Sequence, residues 1–305
     1  MTTPAPLSTP LLAPEDLTRW LLDPDLAGAP VRLLDARPGA AGREAYETAH
    51  LSGALHVDLD RDLAAIGPDP AIGGRHPLPP VETWRARLGS WGITPEHHVV
   101  VYDAQGGANA AARVWWMLRA VGHRATSLLD GGWQAAREAG VPIDSTEPTV
   151  RATAPYPAAG WLLPLADFER VDAARLDAGC RVVDVRSERR YRGQIEPFDP
   201  IAGHIPGAIN LPYERALGPD GRMLPRDALR ALFAPLAEVP PERVIVHCGS
   251  GVTACHTLLA LDAAGIEVPA LYVGSWSEWC RADRPLARET EADVAVDGDA
   301  GPDRA

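Results

Sequence analysis

The chain carries the same order of motifs twice, and this repetition constrains its fold more than any other feature. Val31-Arg32-Leu33-Leu34-Asp35-Ala36-Arg37 is answered by Arg181-Val182-Val183-Asp184-Val185-Arg186. His50-Leu51-Ser52-Gly53-Ala54 is answered by His204-Ile205-Pro206-Gly207-Ala208. His98-Val99-Val100-Val101-Tyr102-Asp103 then matches Val244-Ile245-Val246-His247-Cys248, and Asp130-Gly131-Gly132-Trp133 matches Val273-Gly274-Ser275-Trp276. Short apolar runs alternate with stretches of helical composition, such as Ala110 to Leu118 and Thr253 to Ala263. The pattern predicts an α/β protein of two tandem domains, each a parallel sheet with helices on both faces. Asp103 and Cys248 then fall at the carboxyl edges of the sheets, where such folds bind ligands. The expected domains span residues 10–146 and 160–288. They are joined by a Pro-, Ala- and Thr-rich linker over 147–159 and followed by an acidic, disordered tail over 289–305.

Charge and composition exclude several classes of function. The 305 residues carry a formal net charge of −12, which argues against a nucleic-acid partner. All 29 basic residues are arginine, so cationic contacts must come from Arg, His or backbone amides. No apolar run is long enough to span a membrane, and Met1-Thr2-Thr3-Pro4-Ala5-Pro6 does not read as a signal peptide. The four cysteines, Cys180, Cys248, Cys255 and Cys280, show neither a disulfide framework nor metal-ligand spacing. The expectation is a cytoplasmic protein with no metal and no cofactor.

Where the repeats agree, structure is the simpler explanation. Asp35/Asp184 and Arg37/Arg186 read as strand-end pairs, His50 and His204 as satisfied loop histidines, and Trp133 and Trp276 as packing. Where the repeats differ, chemistry is expected. Cys248 stands opposite Asp103, so the first half lacks a nucleophile and is expected to be inert support. The thiol ends a strand and meets a small-residue loop and a helix start, a setting of main-chain N–H groups that favours thiolate. Arg190 stands opposite alanine in the first half and is a candidate anion binder; the alternative is a surface arginine in the charged run Glu188-Arg189-Arg190. Cys255 is either a redox partner of Cys248 or, more commonly for a helix cysteine, simply buried. Cys180 and Cys280 are expected to be inert.

These motifs resemble the rhodanese superfamily, specifically its tandem-domain sulfurtransferases, across about residues 10 to 288. The resemblance implies an inactive first domain and a catalytic Cys248 in the second. The string Cys248-Gly249-Ser250-Gly251-Val252-Thr253-Ala254 is similar to the loop of enzymes that use 3-mercaptopyruvate. Thiosulfate-preferring loops carry basic residues where Gly249 and Ser250 stand. The implied reaction is ping-pong covalent catalysis. Cys248 takes a sulfur from 3-mercaptopyruvate, or alternatively from thiosulfate, and holds it as a persulfide. A thiol such as thioredoxin or glutathione, or cyanide, then removes it. The amides of Gly249, Ser250, Gly251, Val252 and Thr253 would hold the persulfide, aided by the helix N-terminus behind them. Ser250 either donates to the donor or shapes the turn. Arg190 aligns with an arginine that binds the donor carboxylate. A second arginine is expected before His204-Ile205-Pro206-Gly207, but Gln194 to Ala202 has none, and Phe198 stands near its place. The donor clamp therefore reads as incomplete.

Two other readings fit less well. A cysteine phosphatase needs an arginine six residues after its cysteine, where this chain has Ala254. A non-catalytic rhodanese-like sulfur carrier or binding module would normally have lost the cysteine.

Overall fold

A computed structural model describes residues 9–288; the tail expected over 289–305 lies outside them. Two five-stranded sheets are present, and all their strand pairs are parallel. The first runs Leu11–Leu12, Thr126–Leu129, His98–Tyr102, Val31–Asp35, Leu55–His56. The second repeats that order as Leu165–Ala166, Ala270–Tyr272, Val244–His247, Arg181–Asp184, Ile209–Asn210. A two-stranded antiparallel ribbon, His50–Leu51 with Ile143–Asp144, decorates the first half.

The strands read as continuous apolar runs because both sheet faces are covered. Val99 and Val101 face one apolar cluster, while Val100 and Tyr102 face another. Val244 and Val246 join the same cluster as Val99, whereas Ile245 and Tyr272 belong to a third. One core is thus shared by the two halves, and each half keeps a private core on the far side of its sheet.

The shared core is filled by the repeat-equivalent helices Ala110–Ala120 and Ala254–Ala264, which are buried almost all round. Their alanines keep side chains short where the halves meet, and Trp115, Trp116, Leu258 and Leu259 fill the volume. Segment 147–159 has neither helix nor strand. It runs along the first half, with Thr153 N–H donating to Gly89 O and Tyr156 N–H to Arg85 O.

A second irregular segment connects the halves less predictably. Between the helices Leu59–Asp62 and Val81–Ser90, a Gly- and Pro-rich strap leaves the first half and lies on the second. Gly73 N–H donates to Glu278 Oε1 at 2.8 Å and Arg75 N–H to Ser277 Oγ at 3.0 Å.

Candidate active site

Cys248 follows the strand Val244–His247 directly and is 2% exposed. Its N–H donates to Ser275 Oγ (3.2 Å), and its carbonyl accepts from Trp276 N–H (3.0 Å). The next carbonyls are tied from outside the turn. Gly249 O accepts from Ser277 N–H, and Gly251 O accepts from Arg113 Nη1 and from the Cys255 thiol. Gly251 has φ +72°, and a Cβ there would meet Val273 O at 2.5 Å, so only glycine fits. With the carbonyls so anchored, the amides of Gly249 to Thr253 have no acceptor among the described residues. They form an anion-binding concavity ahead of the helix Ala254–Ala264.

One wall is built of arginine and carboxylate. Arg186 forms a buried pair with Asp184 and reaches Glu196 Oε2 at 3.1 Å. Burial pushes the Asp184 carboxyl up, but Arg186 overrides it and holds the group below the usual carboxylate range. Arg190 forks onto the same Glu196, with Nη2 at 2.7 and 2.9 Å from its two oxygens. Arg75, from the strap, pairs with Asp199 at 3.2 Å, and Arg281 meets Asp199 at 2.8 Å. Phe198 is 63% exposed and stacks under both Arg75 and Arg190, with their guanidinium carbons 5.3 and 5.2 Å from its ring centre. A cavity of about 320 Å³ opens beside this wall, lined by Cys248, Gly249, Arg190, Phe198 and, from the first half, Gln105 and Asn109.

A polar relay enters from the strap. Asp60 Oδ1 lies 3.2 Å from His76 Nε2, and His76 Nδ1 lies 2.8 Å from Ser250 Oγ. Burial, reinforced by Arg75, lowers His76 to about 4, so its ring is neutral at pH 7. A carboxylate only accepts, so Nε2 carries the proton toward Asp60, and Nδ1 accepts from the Ser250 hydroxyl. Beneath the loop, Arg113 is fully buried, donating to Gly251 O and His76 O at 3.0 Å each. The acceptors of its two Nη groups are carbonyls and not carboxylates, its Nε has no hydrogen-bond partner among the described residues, and burial lowers its pKa. Burial also pushes the neighbouring Cys255 thiol up to about 12, so this cysteine stays protonated.

The structure thus brings Cys248, Arg190, Gly249 and Thr253 into one pocket, while Ser250, Gly251 and Val252 do not line it and Ser250 is engaged by His76 rather than merely shaping the turn. One expectation changes. The first half lacks the thiol but is not inert support, since His76 and Arg113 bond the loop, Arg75 lies beside Gly249 and Asp60 holds His76; a parallel-sheet edge faces its partner domain as well as solvent. Arg190, expected as an anion binder with a surface arginine as the alternative, lies on the pocket wall, where Glu196 holds it inward. Ser275 was also readable: it replaces Gly132 of the first repeat, and it keeps that position's left-handed backbone (φ +53° against +59°) while its hydroxyl holds the Cys248 amide. Nothing in the spacing of Arg75 or His76 announced a site; the matching segment of the second half, Gly221 to Pro225, crosses back to the first, where Arg222 meets Glu15 and Met223 N–H donates to Asp130 Oδ1.

The rhodanese-like domain model matches residues 14–139 and again 169–282, so the chain belongs to the rhodanese family. It is similar over most of its length to other proteins. A probable 3-mercaptopyruvate sulfurtransferase of Pseudomonas aeruginosa is 40% identical, covering 92% of this chain and 98% of that protein. A putative thiosulfate sulfurtransferase, SseB of Mycobacterium tuberculosis, is 38% identical over 87% and 93%. The solved 3-mercaptopyruvate sulfotransferase SseA of Escherichia coli superposes with a TM-score of 0.72 at 28% identity, covering 89% of this chain and 100% of that one.

Proposed function

We propose that the protein is a sulfurtransferase that moves sulfur from 3-mercaptopyruvate through a Cys248 persulfide to a thiol acceptor or cyanide. The observation that carries this reading is the placement of Cys248: a buried thiol on the floor of an arginine-walled pocket, ringed by amides without acceptors. The thiolate attacks the donor sulfur and forms the S–S bond. The carbon–sulfur bond breaks, and its electron pair leaves on the enolate of pyruvate. The donor's thiol proton goes to that enolate carbon, leaving an anionic persulfide for the loop amides to hold. Ser250 and neutral His76 offer that proton a path, because Ser250 Oγ can accept it while passing its own proton to Nδ1.

Thiosulfate is the second reading, since relatives of both names match. The neutral Gly249 and Ser250, together with a proton relay that thiosulfate does not need, favour mercaptopyruvate. The acceptor is a small thiol or a thioredoxin-like protein. A cytoplasmic, reducing setting suits four cysteines that are all free. No helix among the described residues is long and apolar enough to cross a membrane. Intact mass after incubation with each donor tests the reading: a gain of one sulfur, localised to Cys248, is expected, with kcat/KM higher for mercaptopyruvate. A protein that stays unmodified with both donors overturns it.

A further inference from the structure

We propose that Arg113, the buried arginine beneath the loop, is a positioning residue that supplies the counter-charge for the anionic sulfur of Cys248. The proposal rests on the reading of Cys248 as a sulfur that turns anionic during transfer. Its first support is geometry. Arg113 sits in the interface helix Ala110–Ala120 of the first half and is fully buried. Counted from the helix starts Ala110 and Ala254, its counterpart in the second half is Thr257. The charge is therefore one-sided, as the thiol is, but in the opposite half. Nη1 donates to Gly251 O and Nη2 to His76 O at 3.0 Å each, so one guanidinium ties the strap to the loop, and Nε has no hydrogen-bond partner. A peptide unit is planar and trans, so its C=O and N–H point opposite ways. Holding Gly251 O against Arg113 turns the Val252 N–H away from the arginine, and that amide has no acceptor among the described residues.

Its second support is charge. The carboxylates of the pocket wall are taken by other arginines: Asp184 and Glu196 by Arg186 and Arg190, and Asp199 by Arg75 and Arg281. Arg113 has two neutral carbonyls instead. A buried cation needs a negative partner, and the titratable groups that face it narrow the choice. They are Cys248 and Cys255 from the second half and His76 from the strap. His76 is neutral at pH 7. Cys255 donates to Gly251 O at 3.4 Å and is pushed up to about 12 by burial, so it stays a thiol. Cys248 remains, and it is the group that must be a thiolate before attack and a persulfide after it. Arg186 also faces that sulfur, but Asp184 and Glu196 already meet its charge. The charge of Arg113 is left for the sulfur, through a buried medium that screens it little.

The test reads the charge on the sulfur without any donor. Neutral iodoacetamide alkylates the Cys248 thiolate with loss of iodide. Its rate at the Cys248 peptide is followed by mass spectrometry on the full chain, from about pH 5 to about pH 9. Arg113→Gln keeps a donor for Gly251 O but no charge. The midpoint of its profile should move up by about one pH unit from wild type, and its rate at pH 7 should fall about tenfold. Arg113→Lys keeps a charge without the fork and should recover about half of that shift or more. In turnover the loss should fall on kcat, about tenfold in Arg113→Gln, with KM within about threefold. A second measurement needs no change at Arg113. An anion held by the fold adds stability as pH rises and loses it as pH falls, so wild type should gain in melting temperature over Cys248→Ser between about pH 6 and about pH 9. A wild-type midpoint in Arg113→Gln, a Lys variant shifted as far as the Gln one, or no such gain overturns the proposal. Protein that shows the Arg113-dependent profile but takes no sulfur from either donor would sink the sulfurtransferase reading while upholding the counter-charge.

Discussion

The two strand-end loops are copies of one device put to different ends. Asp103 follows the strand His98–Tyr102 as Cys248 follows Val244–His247, and each has its carbonyl bonded by the amide of the repeated tryptophan, Trp133 or Trp276. In the first half the chain fills its own cradle: the Asp103 carboxylate accepts from the amides of Gln105, Gly107, Asn109 and Ala111 at 2.8–3.3 Å. Burial still raises the Asp103 carboxyl above its usual range, because even these donors do not fully replace water. In the second half the cradle is one residue shorter, its amides are left without acceptors, and a thiol stands where the carboxylate would be. The same backbone geometry that satisfies a permanent anion in one domain is held open for a transient one in the other.

The largest expected effect comes from erasing that difference. Cys248→Asp should give a folded protein whose second loop is self-satisfied like the first. Sulfur transfer should fall by about 10⁴-fold or more, with melting at or above the wild-type temperature. Turnover that survives in this variant, measured with either donor, would break the comparison. Next in size is the relay that the first half lends to the second. Ser250→Ala and His76→Ala should each lower kcat about 10²-fold with mercaptopyruvate, and the double variant should lose little more, because the two act as one path. Additive losses would show that they act separately.

The converse change probes the filled cradle. Asp103→Ala strips the acceptor from four amides, two buried and two half-buried, and should cost about 3 kcal/mol of stability in denaturant melts. Activity per folded molecule should fall severalfold, because Gln105 and Asn109, whose amides Asp103 holds, line the cavity beside the thiol. The smallest effect is the response to acid. Burial lowers His98 and His123 in the first half, and His256 in the second, to about 4. Each therefore takes up a proton more readily unfolded, near pH 6.5, than folded. Their contribution is complete above about pH 6.5 and is lost as pH falls toward 4. Thermal melts from pH 8 to 4 should be flat at first and then decline. With His76 also at about 4, three of the four such histidines belong to the first half, which should loosen first on hydrogen exchange.

Much of this was legible before the structure. The repeated Asp-Arg pairs are the buried strand-end pairs they looked like, and each arginine also covers the repeated tryptophan, Arg37 over Trp133 at 4.6 Å and Arg186 over Trp276 at 4.8 Å. His50 and His204 are satisfied by the Tyr46 and Tyr191 carbonyls. What escaped was the strap, whose Arg75 and His76 sit among Gly and Pro with no periodicity to place them. Arg113 escaped too, hidden in a helix that otherwise reads as plain core.

The order of motifs alone determined the doubled parallel sheet, the thiol at a strand end and the small-residue loop after it. These follow from local pattern: strand composition, turn chemistry and a repeat that can be aligned with itself. Only the packed structure decided which side chains surround that thiol. The relay and the buried guanidinium cross a domain interface, and their placement depends on how two helices rich in alanine bury their faces together. Hydrophobic burial is non-directional along the chain, so nothing in the linear pattern of either half could announce what the other half would bring.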